Sequence, residues 1–178
     1  MGDTMIQKLE IKFVLISRRR HLRAGARFHC RGLDDDGNVA NFVETELLVQ
    51  IQREFYSILQ VRGSVPIFWS QKGRRVLINI KGGLTAKIQQ SRSTEISFPA
   101  FEKHIKDLIS CYDTVLMINL LSKDKGSEKI LTQAFQTNIK NYLFQCQSKK
   151  IPNRIKYEYF DFHGTCKTHV SSKTNLNF

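Results

Sequence analysis

The sequence predicts an α/β fold in which an antiparallel β-meander leads into a mixed sheet with parallel strand–helix–strand units. Three observations point there. Val43, Thr45, Leu47 and Val49 alternate with Glu44 and Glu46, a period of two rich in β-branched residues that suits a strand with one face buried. Phe98, Phe101, Ile105, Leu108, Ile109 and Tyr112 recur instead at helical spacing. Finally, a nearly continuous apolar run, Thr114–Leu121, precedes a long helical pattern and a further strand over Arg154–Phe162. That order calls for a crossover connection between parallel strands. At 178 residues the chain is long enough for one domain with its own core. Residues 11–97 read as mainly β, 98–167 as α/β and 168–178 as a polar tail, with no second domain.

In chain order, Phe13–Ile16 is a short apolar run expected to be a buried strand. From Ala26 to Arg31 a second strand would place Phe28 and Cys30 on one face and Arg27, His29 and Arg31 on the other. Asp34-Asp35-Asp36-Gly37 is a turn signal that would fold this strand onto the next. Phe55, Ser57, Leu59 and Val61 repeat the alternation after polar Gln52, Arg53 and Glu54, so the two runs are expected side by side. Arg62-Gly63-Ser64 breaks the pattern, and Pro66 removes a backbone donor, making Val65–Trp69 an edge or irregular segment. Its charged and aromatic residues on irregular backbone suggest a site more than plain core. Val76–Ile80 reads as a strand, Gly82-Gly83 as a turn, Leu84–Ile88 as a partner and Gln89–Glu95 as a loop. The first helix is expected to be capped by Ser97, with Pro99 in its first turn. Thr114–Leu121 suits a strand covered on both faces. Gly126 and Ser127 open a helix reaching about Gln147 through Ile130, Leu131, Ala134, Phe135, Ile139, Tyr142, Leu143 and Cys146, and Pro152 lies beyond its end.

The charge is unbalanced: 28 Lys and Arg against 16 Asp and Glu, a net +12. This predicts attraction to a polyanion, whether phosphoinositide headgroups, an acidic membrane surface or nucleic acid, without choosing among them. Four widely spaced cysteines (Cys30, Cys111, Cys146, Cys166) read as reduced thiols in a cytosolic setting. The longest apolar run, Val115–Leu121 broken by Asn119, is too short to span a bilayer, and Met1–Glu10 lacks the apolar core of a secretory leader.

Ligands sit outside the carboxyl ends of parallel strands, here Tyr159-Phe160-Asp161-Phe162-His163 followed by Lys167. Asp161, His163 and Lys167 could gather around an anionic group, with His163 donating a proton and Lys167 a charge. Alternatively Asp161 caps or pairs locally and His163 is a framework residue. His163, Cys166 and His169 have zinc-like spacing, but structural zinc needs a fourth ligand and no second pair stands out, so no metal is expected. A cysteine phosphatase needs a thiolate in a loop of backbone N–H groups, closed by an Arg in Cys-x5-Arg spacing. Six places after the four cysteines stand Asp36, Met117, Pro152 and Ser172, so none qualifies. No Walker-type glycine loop, Gly-x-Ser-x-Gly or His-Glu-x-x-His is present. Arg18–Arg20, Arg23, Arg27 and Arg31 form an exposed basic face, without the aromatic pairing expected of an RNA-binding signature. Arg62, on irregular backbone near Ser64 and Trp69, suits bidentate pairing with phosphate or an internal ion pair with Glu44 or Glu46.

Several long strings resemble the Sac-type phosphoinositide phosphatases: Ile16-Ser-Arg-Arg, Arg23-Ala-Gly-x-Arg27, Arg31-Gly32, Asp36-Gly-Asn-Val-Ala-Asn-Phe-Val-Glu-Thr-Glu46, Gln60-Val-Arg-Gly-Ser-Val-Pro-Ile-Phe-Trp-Ser-Gln71, Asn119-Leu-Leu, Lys125-Gly-Ser-Glu128, and Tyr159-Phe-Asp-Phe-His163 with Cys166-Lys167. The match runs from about Lys12 to Lys167. It implies an enzyme that removes a phosphate from the inositol ring of a membrane phosphoinositide, without metal or cofactor, through a cysteinyl-phosphate. The setting it implies is the cytosolic face of endomembranes (endoplasmic reticulum, Golgi or endosome). Arg62, Asp161, His163 and Lys167 become the expected substrate-binding residues. The partners expected are membrane phosphoinositides and an anionic membrane surface, with no nucleic acid. Two departures are noted: the family's N-terminal subdomain would precede Ile11, and the Cys-x5-Arg loop would follow the Phe-Asp-Phe-His segment. The chain therefore reads as an incomplete Sac catalytic domain, inactive alone, with open sheet edges that predict marginal stability or association. The rival reading is a non-catalytic basic module on anionic lipid membranes, or less readily on nucleic acid.

Overall fold

The computed structural model describes residues 11–25, 30–72, 87–122, 126–162 and 165–166. The expected strand at Val76–Ile80, its Gly82-Gly83 turn, most of Leu84–Ile88, part of the Ala26–Arg31 strand, His163, Lys167 and the tail Thr168–Phe178 lie outside the described residues.

Three strands form an antiparallel sheet in the order β1 (Ile11–Arg19), β2 (Val43–Ile51), β3 (Glu54–Arg62). Pairing is continuous over nine residues on both sides of β2, with Leu15 opposite Leu47 and Leu47 opposite Ile58. The Gln52-Arg53 link is tight, and Gln52 takes a φ of 55°, the left-handed conformation that short hairpin turns use. The burial expected of the first strand is not found: Phe13 is 74% and Leu15 65% exposed. Nine-residue strands are roughly 30 Å long, and the core reaches only the end holding Phe42, Val43 and Val61. The other end projects past the core, and Phe13, Leu15, Phe55 and Ile58 there are exposed.

The segments flanking this sheet interlock, and the interlocking explains their unusual strings. Gly32 N–H donates to Ser64 Oγ (2.8 Å), Ser64 N–H to the Ala40 carbonyl and Ala40 N–H to the Gly32 carbonyl, while Leu33 N–H reaches the Ile67 carbonyl. Asp34 closes the turn by accepting from Asp36 and Asn38 N–H. Arg31 is not in a strand; only Leu33 and Val39 form a bridge, because β1 pairs directly with β2 and leaves no ladder for a strand between them. Val65–Phe68 is irregular as expected, but Ile67 (1%), Phe68 (8%) and Trp69 (9%) are core. The site expected in this stretch is therefore packing: the aromatic rings fill the space under the loops. β4 (Trp69–Lys72) pairs with β5 (Lys87–Gln90), which takes Gln89 and Gln90 out of the expected loop.

α1 spans Thr94–Tyr112 and is capped by Ser93, not Ser97. The Ser93 side chain accepts from Ile96 N–H, and Ser97, one turn in and fully buried, donates its hydroxyl to the Ser93 carbonyl at 2.6 Å. The helix thus starts one turn earlier than expected, and Pro99 falls inside it. Phe101, Ile105 and Leu108 enter the core. His104 is buried too, with Nδ1 3.1 Å from the Gly37 carbonyl; Nδ1 carries the proton, because its neighbour can only accept. Burial pushes its pKa down to about 4.

β6 (Val115–Asn119), α2 (Gly126–Ser148) and β7 (Ile155–Tyr159) form the expected unit, with β6 and β7 parallel and Val115 opposite Ile155. β6 is covered on one face only: Val115, Met117 and Asn119 point inward, while Leu116 (55%) and Ile118 (56%) are exposed. Helices cover its inner side, and no described element lies on the other. Leu131, Ala134, Phe135, Ile139, Tyr142 and Cys146 are the buried apolar stripe of α2.

Candidate functional site

The carboxyl ends of β6 and β7 hold a polar cluster. Asn119, the one polar break in the apolar run, is 4% exposed. Its Nδ2 donates to the Tyr157 hydroxyl (3.0 Å) and to Thr132 Oγ1 (3.4 Å), and its Oδ1 accepts from Leu121 N–H. Gln136 on α2 also donates to Tyr157, and Thr132 donates to the Ser122 carbonyl. Glu128 accepts from Ser122 N–H at 2.9 Å, which puts a carboxylate in the first turn of α2, where the helix dipole favours it. Sequence reasoning noted Asn119 and the Gly-Ser-Glu128 string without assigning them a task. Their task is to fasten the turn out of β6 to α2 and β7, because a buried amide must find partners.

This turn sets the path of the next strand end. Phe160 N–H donates to the Asn119 carbonyl, extending the ladder past β7, and Thr165 N–H donates to the Asp161 carbonyl. Asp161 and Cys166 are both exposed. Of the sequence-predicted residues, Asp161 is thus at the strand end as expected, and His163 and Lys167 lie outside the described residues. Arg62 is exposed at the end of β3, in the other sheet. Its side chain makes no hydrogen bond or ion pair with any described residue, and none joins it to Asp161. The register places Arg62 opposite Val43, on the face that Glu44 and Glu46 turn away from, which rules out the internal ion pair.

Arg27 lies outside the described residues, and the other arginines of the basic face act as internal fastenings. Arg18 bridges Glu44 and Glu46 at 3.1 Å each. Arg19 bonds the Gly25 carbonyl and Asn41. Arg20 pairs with Asp107 on α1 at 2.8 Å and lies 4.4 Å over the Phe42 ring. Arg23 donates to the Arg31 and Gly32 carbonyls, and Arg31 bonds Gln71 and lies over Trp69. Guanidinium groups suit this work because a rigid fork of five donors can satisfy several carbonyls at once. On the far side of α1, a cleft of about 410 Å³ is floored by Tyr142 and Cys146. Burial pushes the Tyr142 hydroxyl up to about 12. Among the described residues no three His, Cys, Asp or Glu side chains are grouped to hold a metal, and no helix is long and apolar enough to cross a membrane.

Three relatives show the same pattern of likeness. Synaptojanin-1 of Homo sapiens and Inositol-1,4,5-trisphosphate 5-phosphatase 1 of Schizosaccharomyces pombe are each 42% identical over 89% of this chain, which spans 9% and 13% of their lengths. Polyphosphatidylinositol phosphatase INP53 of Saccharomyces cerevisiae is 38% identical over the same share and is covered over 13% of its length. The chain thus spans about a tenth of the relatives it matches. The profile of the SacI homology domain matches residues 2–167, taking in the interlocked loops, the arginine fastenings and the Asn119 turn, and on that ground the chain belongs to the SacI homology domain family.

Proposed function

We propose that this chain is part of a phosphatase that hydrolyses a phosphate monoester on the inositol ring of membrane phosphatidylinositol phosphates, at the cytosolic face of endomembranes. The observation that carries the reading is the family match over residues 2–167, together with relatives whose names state phosphatase activity on inositol phosphates or phosphatidylinositol phosphates. The attacking thiolate would lie outside these 178 residues, since no cysteine among them has an Arg six places on. A phosphate ester resists attack without a nucleophile activated in a ring of N–H donors and a guanidinium. Asp161, His163 and Lys167 would form the wall of the headgroup pocket at the strand end, with Lys167 supplying charge. Arg62 would add charge near the headgroup from the end of β3 in the other sheet.

Phosphate release from phosphatidylinositol 4-phosphate vesicles tests both halves. The purified 178-residue chain should release none, and the longer polypeptide that contains it should turn over. Lys167→Ala in that polypeptide should raise KM. Turnover by the short chain, or a phosphoenzyme trapped on one of its four thiols, would overturn the first half. A longer polypeptide carrying Cys-x5-Arg yet inert on every phosphoinositide would overturn the second.

A further inference from the structure

We propose that a second copy of this chain docks on the free edge of β3, the two strands pairing antiparallel about Ile58 to make one six-stranded sheet. β3 is the outer strand of its sheet, nine residues long and exposed at every position but Val61. Phe55 is 76%, Ile58 60%, Tyr56 53% and Leu59 47% exposed. It is paired with β2 without interruption and carries none of the devices that blunt an edge: no proline, bulge or mid-strand charge. The N–H and C=O groups of its outer edge, unpaired among the described residues, are a template for another strand.

The occupant follows from charge. β3 reads Glu-Phe-Tyr-Ser-Ile-Leu-Gln-Val-Arg over Glu54–Arg62. Antiparallel self-pairing about Ile58 sets Glu54 opposite the partner's Arg62, and the reverse, so both ends of the pair are complementary. Between them Phe55 meets the partner's Val61 and Tyr56 the partner's Gln60, and no like charges oppose. Ile58 faces itself across the two-fold axis, which gives a closed, isologous contact. The same operation on the other edge, β1, about Leu15 sets Lys12 against the partner's Arg18 twice. Arg62, exposed and without a described partner, thereby acquires one. This proposal does not depend on the phosphatase reading.

Sedimentation equilibrium of the 178-residue chain over a wide concentration range should show a monomer–dimer equilibrium. Glu54→Arg sets Arg against Arg at both ends, and Arg62→Glu sets Glu against Glu. Each should weaken the dimer about tenfold or more while leaving the circular dichroism spectrum unchanged, since cross-strand charge pairs act in the range of a few tenths to one kcal/mol each and two are reversed. An equimolar mixture of the two variants should recover association as a heterodimer, and the double exchange Glu54→Arg with Arg62→Glu should recover the homodimer. A monomer at all concentrations, an open ladder of higher oligomers, or association indifferent to both single exchanges would each overturn the proposal. So would failure of the mixture to recover.

Discussion

Acid should loosen this protein at His104. Its ring sits against the Asp-Gly turn with Nδ1 3.1 Å from the Gly37 carbonyl, and its side chain is almost wholly out of water. Burial dominates its pKa and lowers it from 6.5 to about 4; the Gly37 carbonyl and nearby Asp107 pull upward, and Arg20 pushes down. The unfolded chain therefore takes up a proton near pH 6.5 that the native chain refuses until about pH 4. Stability is complete above the unfolded value and falls as pH drops through this window. At about 1.4 kcal/mol per pKa unit, the full loss is roughly 3 to 4 kcal/mol, and most of it has gone by pH 4.5. That is a large share of the 5–15 kcal/mol typical of a domain. Urea unfolding followed by the single tryptophan, Trp69, at pH 7.5 and 4.5 reads the loss. His104→Gln should destabilise at pH 7.5, because it gives up a buried hydrogen bond, yet lose less than the parent on acidification. Subtracting the two curves cancels the carboxylates. Parallel pH profiles for parent and variant, or a native His104 titrating near 6.5 by NMR, would refute the reasoning.

Three further substitutions probe the packing. Gly32→Ala, at φ 69°, would place a methyl 2.3 Å from the Ile67 carbonyl oxygen and 2.9 Å from Trp69 Cδ1; the expected cost is about 3 kcal/mol or more, read as a lowered urea midpoint, and an unchanged midpoint would show that the interlocked loops yield. Tyr112→Phe removes a hydroxyl that donates to Glu44 at 2.6 Å and should cost about 1 kcal/mol, because Arg18 still holds that carboxylate; a cost above about 3 kcal/mol would mean that the hydroxyl does more than this one bond. Asn138→Leu should stabilise by about 1 kcal/mol, since Asn138 is fully buried with neither amide atom paired among the described residues; a lowered melting temperature would show that the amide is satisfied in solution.

Most of the elements were legible because their signals are local. Alternation marked β2 and β3, helical spacing marked α1 and α2, and an apolar run on either side of a long helix announced parallel strands. Burial was less legible. Phe13 and Leu15 read as core and stand in water, whereas Phe68 and Trp69 read as a site and are core. Hydrophobicity says that a residue gains by burial; it does not say whether the chain brings anything to cover it. At the strand end, topology alone placed Asp161 just past β7, and the apolar run's single break, Asn119, was a visible signal. The hydrogen bonds that give Asn119 its role join residues 13 and 38 positions apart.

By itself the sequence determined the family, the order of strands and helices, the excess of positive charge and the spacing around each of the four cysteines in these 178 residues. Each is a property of neighbours along the chain. Only the tertiary structure decided that the described arginines of the basic face are fastenings, that Arg62 faces away from Glu44 and Glu46, and that no described strand pairs with the outer edge of β3. Those outcomes depend on which distant backbone arrives beside a side chain, and strand register settles that.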